Sequence, residues 1–150
     1  MVSEKMKEYN LSHEQLAPFV GIWRTSGQIH ATDTTPAIPV HGIDSYEWLP
    51  GEYFLLHKVD VMIGDNKINN TEIIGWDYET GNYFMHAYDT SGIYSRMHAT
   101  INGNHWVYEG PTEKFVGGFN KDRSEFSGLW YTREKDTAWQ QWMDIKLEKD

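Results

Sequence analysis

The chain contains no cysteine, which excludes disulfides, thiol nucleophiles and thiolate metal sites from the outset. Basic residues are few and scattered: 13 stand against 22 acidic ones, for a net charge of −9. That balance opposes phosphate backbones and anionic bilayers, so neither a nucleic acid nor a membrane is an expected partner. No apolar run reaches membrane-spanning length. The opening Met1-Val2-Ser3-Glu4-Lys5-Met6-Lys7-Glu8 carries charge where a signal peptide needs an apolar segment, and a cytoplasmic protein is expected. Gly-x-Ser-x-Gly, P-loop, dinucleotide, His-Glu-x-x-His and EF-hand patterns are all missing, as is any His-x-His pair. No metal site is therefore assigned.

Aromatic residues are plentiful, at 15% with seven Trp and nine Tyr. Rings of this kind suit a packed sheet or a pocket wall. The length of 150 residues fits one domain with a core that needs no cross-link, expected over residues 11–150 behind a tail at 1–10. Ser12 and Gln15 have capping-box spacing, with Leu11 and Leu16 at the staple positions. Pro18 ends that helix by Ala17, so one or two turns are expected, as a lid or plug over one end of the molecule.

Beyond Pro18 the pattern has period two. Strands are predicted near 20–30, 43–49, 52–62, 71–77, 82–89, 92–101, 104–109, 113–119, 125–133 and 138–147. Turn residues that tolerate positive φ separate them, as in Glu79-Thr80-Gly81-Asn82 and Asn102-Gly103-Asn104. Short turns imply antiparallel hairpins, and closure into a barrel hides the edges of so long a meander. Residues 31–42 are too long for a hairpin and read as a flap or a surface loop.

Phe19-Val20-Gly21-Ile22-Trp23 followed by Gly27 resembles the first strand of calycin-type barrels, the lipocalins and nitrobindin-like proteins. The triplet alone is not diagnostic, since Gly128-Leu129-Trp130 repeats it. Tyr46-Glu47-Trp48-Leu49-Pro50-Gly51, Phe54-Leu55-Leu56-His57, Ile73-Ile74-Gly75-Trp76-Asp77 and Trp142-Met143-Asp144-Ile145-Lys146-Leu147 are similar to the DUF1579 group of uncharacterised bacterial lipocalin-like proteins. The resemblance implies an all-β, antiparallel up-and-down barrel of about ten strands with a short N-terminal helix. The nitrobindin likeness further implies haem on a histidine near the C-terminus. Here the last histidine is His105, so haem is disfavoured.

Alternation assigns the interior. With Lys58 and Asp60 in water, Tyr53, Leu55, His57, Val59 and Val61 face inward. Trp23, Thr25 and Ile29 do the same on the first strand, and Trp139, Gln141, Met143, Ile145 and Leu147 on the last. Trp106 and Tyr108 share a face that fills the core or lines a pocket. His57 is either a ligand-orienting group, a base, or a buried histidine satisfied by its neighbours. Arg96 and His98 form an anion-binding pair if their row faces in and are solvated if Met97 and Ala99 face in; ordinary packing favours the latter. His86 has no clear phase, and Glu72 is an interior carboxylate or a solvated strand start.

The expected function is binding of a small, largely apolar or aromatic molecule with a polar group. Trp23, Tyr53, Leu55, Val59 and Met143 supply the wall, with His57 and, on the inward alternative, Arg96 and His98 as polar contacts. An enzyme using His57 or His98 as general acid or base is the alternative. A homodimer or a purely surface-acting module is a further one.

Overall fold

The computed structural model describes residues 3–150. Its ten strands are β1 (Gly21–Ile29), β2 (Ile38–Trp48), β3 (Leu55–Ile63), β4 (Asn66–Asp77), β5 (Asn82–Tyr88), β6 (Tyr94–Asn102), β7 (His105–Glu109), β8 (Glu113–Phe119), β9 (Glu125–Thr132) and β10 (Gln140–Lys149). Each pairs antiparallel with its sequence neighbour. Pairing of Trp23–Ile29 with Met143–Lys149 joins β1 to β10 and closes the barrel. Closure removes the unpaired edges that a ten-strand meander would otherwise expose.

The helix is longer than its capping signal implied. Helix α1 spans Glu4–Leu16, with Ser3 as its N-cap accepting from the Met6 amide at 3.2 Å. Ser12 is a buried residue inside the helix, not its cap, and residues 4–10 are helical where a tail was expected. The apolar stripe of α1 is thin, with Leu16 buried but Leu11 and Met6 exposed, so periodicity gave little warning of it. Polar contacts hold the helix down instead. Tyr83 donates to Gln15 Oε1 at 2.6 Å, Trp76 Nε1 donates to Glu8 at 3.2 Å, and His13 lies between the rings of Trp48 and Tyr53. A short 3-10 turn, Ala17–Phe19, follows and plants Phe19 against Tyr46, Trp106, Phe119 and Phe126. Together these elements plug the end of the barrel where β1 begins.

The interior has two apolar clusters. The larger, nearer the plug, contains Phe19, Trp23, Leu55, Tyr83, Trp106, Phe115 and Phe126. The smaller, toward the other end, contains Val40, Val61 and Met143. Strand β2 begins at Ile38, inside the segment expected to be a flap, which leaves 30–37 as the connection. In β10 a bulge between Gln141 and Met143 resets the alternation, so Gln141 is exposed while Met143 is buried. Trp139 lies before the strand, with the Arg133 guanidinium 3.9 Å from its ring.

Gly117 and Gly128 face each other across β8 and β9, and the Phe115 ring covers both. A methyl on Gly117 would stand 2.7 Å from Phe115 Cζ and 2.7 Å from the Gly128 Cα. Gly117→Ala is therefore expected to destabilise the fold by about 1–3 kcal/mol. A urea titration checks this through a lower midpoint at unchanged slope.

Candidate functional site

Three neighbouring strands bring together the residues of greatest chemical interest. Tyr46 of β2 lies opposite His57 of β3, and His57 lies opposite Glu72 of β4. Alternation then puts Asp44 on the same inward face, one step along β2 from Tyr46. All four are buried or nearly so: the His57, Asp44 and Glu72 side chains keep only 11%, 9% and 10% of their exposure.

Their geometry is specific. His57 donates through Nε2 to Asp44 Oδ2 at 2.6 Å and through Nδ1 to Glu72 Oε1 at 2.9 Å. Thr25 of β1 donates its hydroxyl to the other Asp44 oxygen. The Tyr46 ring stacks on the imidazole, with centroids 4.0 Å apart and planes within 7°. A histidine donating from both nitrogens is an imidazolium. Burial alone would lower its pKa, but the hydrogen bonds and charges of Asp44 and Glu72 outweigh that and raise it to about 9. Tyr46 and Tyr108 are pushed up by burial and by these carboxylates, so both phenols stay neutral donors.

This arrangement limits the chemistry. A charged His57 has no lone pair to accept a proton, which argues against a general base at neutral pH. It equally leaves no ring nitrogen for a metal ion or haem iron. The array carries one cation against two carboxylates, and it faces the interior between the two apolar clusters.

Several expected residues take their places. Trp23 is fully buried, its indole donating to the Phe19 carbonyl at 2.8 Å. Leu55 is buried and Val59 half-buried on the His57 face, and Met143 is buried in the smaller cluster. Others do not. Tyr53 precedes β3 in a turn, 40% exposed, with its ring on His13 and away from the interior. Arg96 and His98 lie on the outer face of β6 and are exposed, because Met97 and Ala99 take the inward phase. Hence they belong to no interior anion pair, and His98 is no interior acid or base.

Glu72 is the interior carboxylate rather than a strand start, since β4 begins six residues earlier at Asn66. Asp44 went unnoticed altogether. Its neighbour Ile43 is apolar yet 45% exposed, which disguises the phase. The usable signal was the row Gly42, Asp44, Tyr46, Trp48, in which two aromatics mark the inward side and carry Asp44 with them.

On β5 and β6 the inward rows become less buried away from the plug. Ala87 lies opposite Glu72 and Ser95 lies opposite Ala87, continuing the inward rows of β5 and β6. Along these rows Met85 and Ala99 are buried, whereas Ala87 is half-buried and Ser95 exposed. Solvent thus reaches the inward face within one small residue of Glu72. Of the two cavities described, neither is lined by His57, Asp44 or Glu72. One lies beneath α1, beside Trp106 and Arg123, and one lies on the outer face around Arg96.

His57 couples this array to stability. Its pKa is near 6.5 when unfolded and about 9 when folded, so the ion cluster contributes fully below pH 6.5. That contribution is lost as pH rises from 6.5 through 9 and amounts to roughly 3 kcal/mol. Denaturant melts across this range should show the decline, and Glu72→Gln should reduce it. His57→Ala leaves two buried carboxylates uncompensated and should cost about 3–5 kcal/mol at neutral pH.

Comparison with known proteins agrees with the architecture. The crystal structure of Rv2717c from M. tuberculosis superposes with a TM-score of 0.66 at 14% identity, covering 93% of this chain and 97% of that one. At that identity the likeness shows the fold alone. No curated protein sequence matches the chain. The family described as "Protein of unknown function (DUF1579)" matches residues 8–115. With most of its length inside that match and the barrel closed as the resemblance implied, the chain belongs to the DUF1579 family.

Proposed function

We propose that the barrel interior binds a small, largely apolar or aromatic molecule whose polar group is a hydroxyl or primary amide. The observation that carries this reading is the Asp44–His57–Glu72 array on the inward face. Buried ions of this kind stabilise a fold poorly compared with well-packed apolar residues, so their presence points to a use. His57 fixes both carboxylates but spends both of its protons on them. A ligand group must therefore bring its own proton to Glu72, whose Oε1 is engaged by His57 while Oε2 is left to receive it. The neutral phenols of Tyr46 and Tyr108 supply donors for the acceptor side of the same group. Apolar wall comes from Trp23, Leu55, Val59 and Met143. The ligand enters past Ala87 and Ser95, and Met143, an unbranched and adaptable side chain, makes room at the top of the pocket.

A binding role also fits the charge state better than catalysis through His57, which holds its proton at neutral pH. Native mass spectrometry of protein taken directly from cells should reveal a retained small molecule. Among added probes, benzyl alcohol and benzamide should bind, whereas benzoate should bind at least about tenfold more weakly because its charge meets Glu72 and Asp44. Glu72→Gln should narrow that gap. Equal binding of benzoate and benzyl alcohol at the interior would refute the reading.

A further inference from the structure

The outer face of β5 and β6 carries a second feature, apart from the interior array. Phe54, Phe84, His86, Tyr94 and Tyr88 form a continuous band of rings, with successive centroids 6.0, 4.7, 5.8 and 5.2 Å apart. Tyr88 and Tyr94 are each 47% exposed. The band ends at an open cleft of about 360 Å³ lined by His86, Arg96, Met97, His98, Glu109 and Pro111, together with Gly110. The cleft exists because β6 continues beyond its last pairing with β7, His98 with Glu109, while the chain turns away at Gly110. The turn passes close to β6, since a Cβ on Gly110 would stand 3.0 Å from Met97 Cγ.

Formal charge in this cleft is balanced, Arg96 against Glu109, on a molecule that is acidic as a whole. On a chain of net charge −9, its lining holds one arginine and two histidines against the single carboxylate of Glu109. Glu109 lies opposite His98 in the strand register, whereas Arg96 forms no ion pair among the described residues. The guanidinium stands 6.0 Å from the Tyr94 ring and keeps its donors for something else. An arginine with free donors matches the paired oxygens of a carboxylate or phosphate, and adjacent tyrosine faces accept a flat ring.

We propose that this cleft is a second binding site, on the outside of the barrel, for a small aromatic anion. Arg96 takes the charged oxygens, His86 and His98 flank them, and Tyr94 stacks on the ring. The site is independent of the interior array, and it selects the charge that the interior rejects.

Phenyl phosphate and benzoate serve as probes, with benzyl alcohol as the uncharged control and inorganic phosphate as the ringless one. Titration followed by NMR should move the His86 and His98 ring resonances with both aromatic anions and not with benzyl alcohol. By calorimetry, Arg96→Gln should weaken phenyl phosphate binding about tenfold or more. Tyr94→Ala should weaken phenyl phosphate binding several-fold while leaving inorganic phosphate unchanged. Glu109→Gln should strengthen binding of both anions. All three residues are exposed or half-buried, so thermal melts of the variants should match the parent. Unmoved His86 and His98 resonances, unaltered affinity in Arg96→Gln, or weaker anion binding in Glu109→Gln would each overturn the proposal. So would self-association through the ring band without anion binding. Arg96, Tyr94 and Glu109 make no contact with Asp44, His57 or Glu72, so the failure of this site is read separately from that of the interior.

Discussion

Closure of the sheet is the constraint from which the rest follows. Once β1 pairs with β10, every inward side chain has only other side chains, or what reaches the less buried rows, for company. Apolar residues satisfy that condition by packing, and most of the interior does so. Charged ones satisfy it only by neutralising one another at hydrogen-bond distance. Asp44, His57 and Glu72 meet the requirement because three consecutive strands place them side by side, with Thr25 taking the last oxygen of Asp44. The dependence is mutual. A slip of one residue between β2 and β3 would turn the Tyr46 row outward and strand His57 without partners, so the ion cluster penalises wrong registers as strongly as it stabilises the right one.

The cluster also divides the interior in two. Below it, rings from Phe19 to Phe126 fill the space under the helix. Above it, the smaller group around Val40, Val61 and Met143 draws on β10, β1, β2 and β3, with Ile68 of β4 and Trp130 of β9 packed against it. The opposite wall thins to Ala87 and Ser95. The polar array sits with small residues on one side and aromatic rings on the other, and its charged groups are already largely desolvated. Low dielectric strengthens each hydrogen bond made there, and it also makes each unsatisfied one costly.

Much of this was legible in the sequence, and the exceptions have identifiable causes. Ten runs of period two, punctuated by turn residues, were enough for the barrel, and Lys58 with Asp60 fixed the inward phase that holds His57. Glu72 stayed open between interior and strand start because the polar stretch 66–71 does not look like strand; its residues are strand only because β3 pairs with all of it. Asp44 was hidden by Ile43, an apolar residue that the barrel leaves outside. Tyr53 failed because the preceding turn runs to Phe54, so alternation had not yet begun. The early start of α1 was invisible because it is fastened by Tyr83, Trp76 and Trp48 from distant strands rather than by an apolar stripe of its own. Local pattern reports where a side chain points; it does not report which distant partner makes a polar residue tolerable there.

Arg96 and His98 show the same principle in reverse. Read alone, the row Tyr94, Arg96, His98, Thr100 has the chemistry of an anion site, and the inward alternative would have put it inside the barrel. There it would have shared an interior with Asp44 and Glu72, and the cations would have been drawn into internal ion pairs, with nothing left for a ligand. On the outer face they meet only Glu109, and Arg96 keeps its donors. The pleat therefore keeps the Arg96 guanidinium outside, apart from the carboxylates of Asp44 and Glu72 within. One residue of phase decides whether Arg96 keeps its donors toward solvent or loses them to the carboxylates inside.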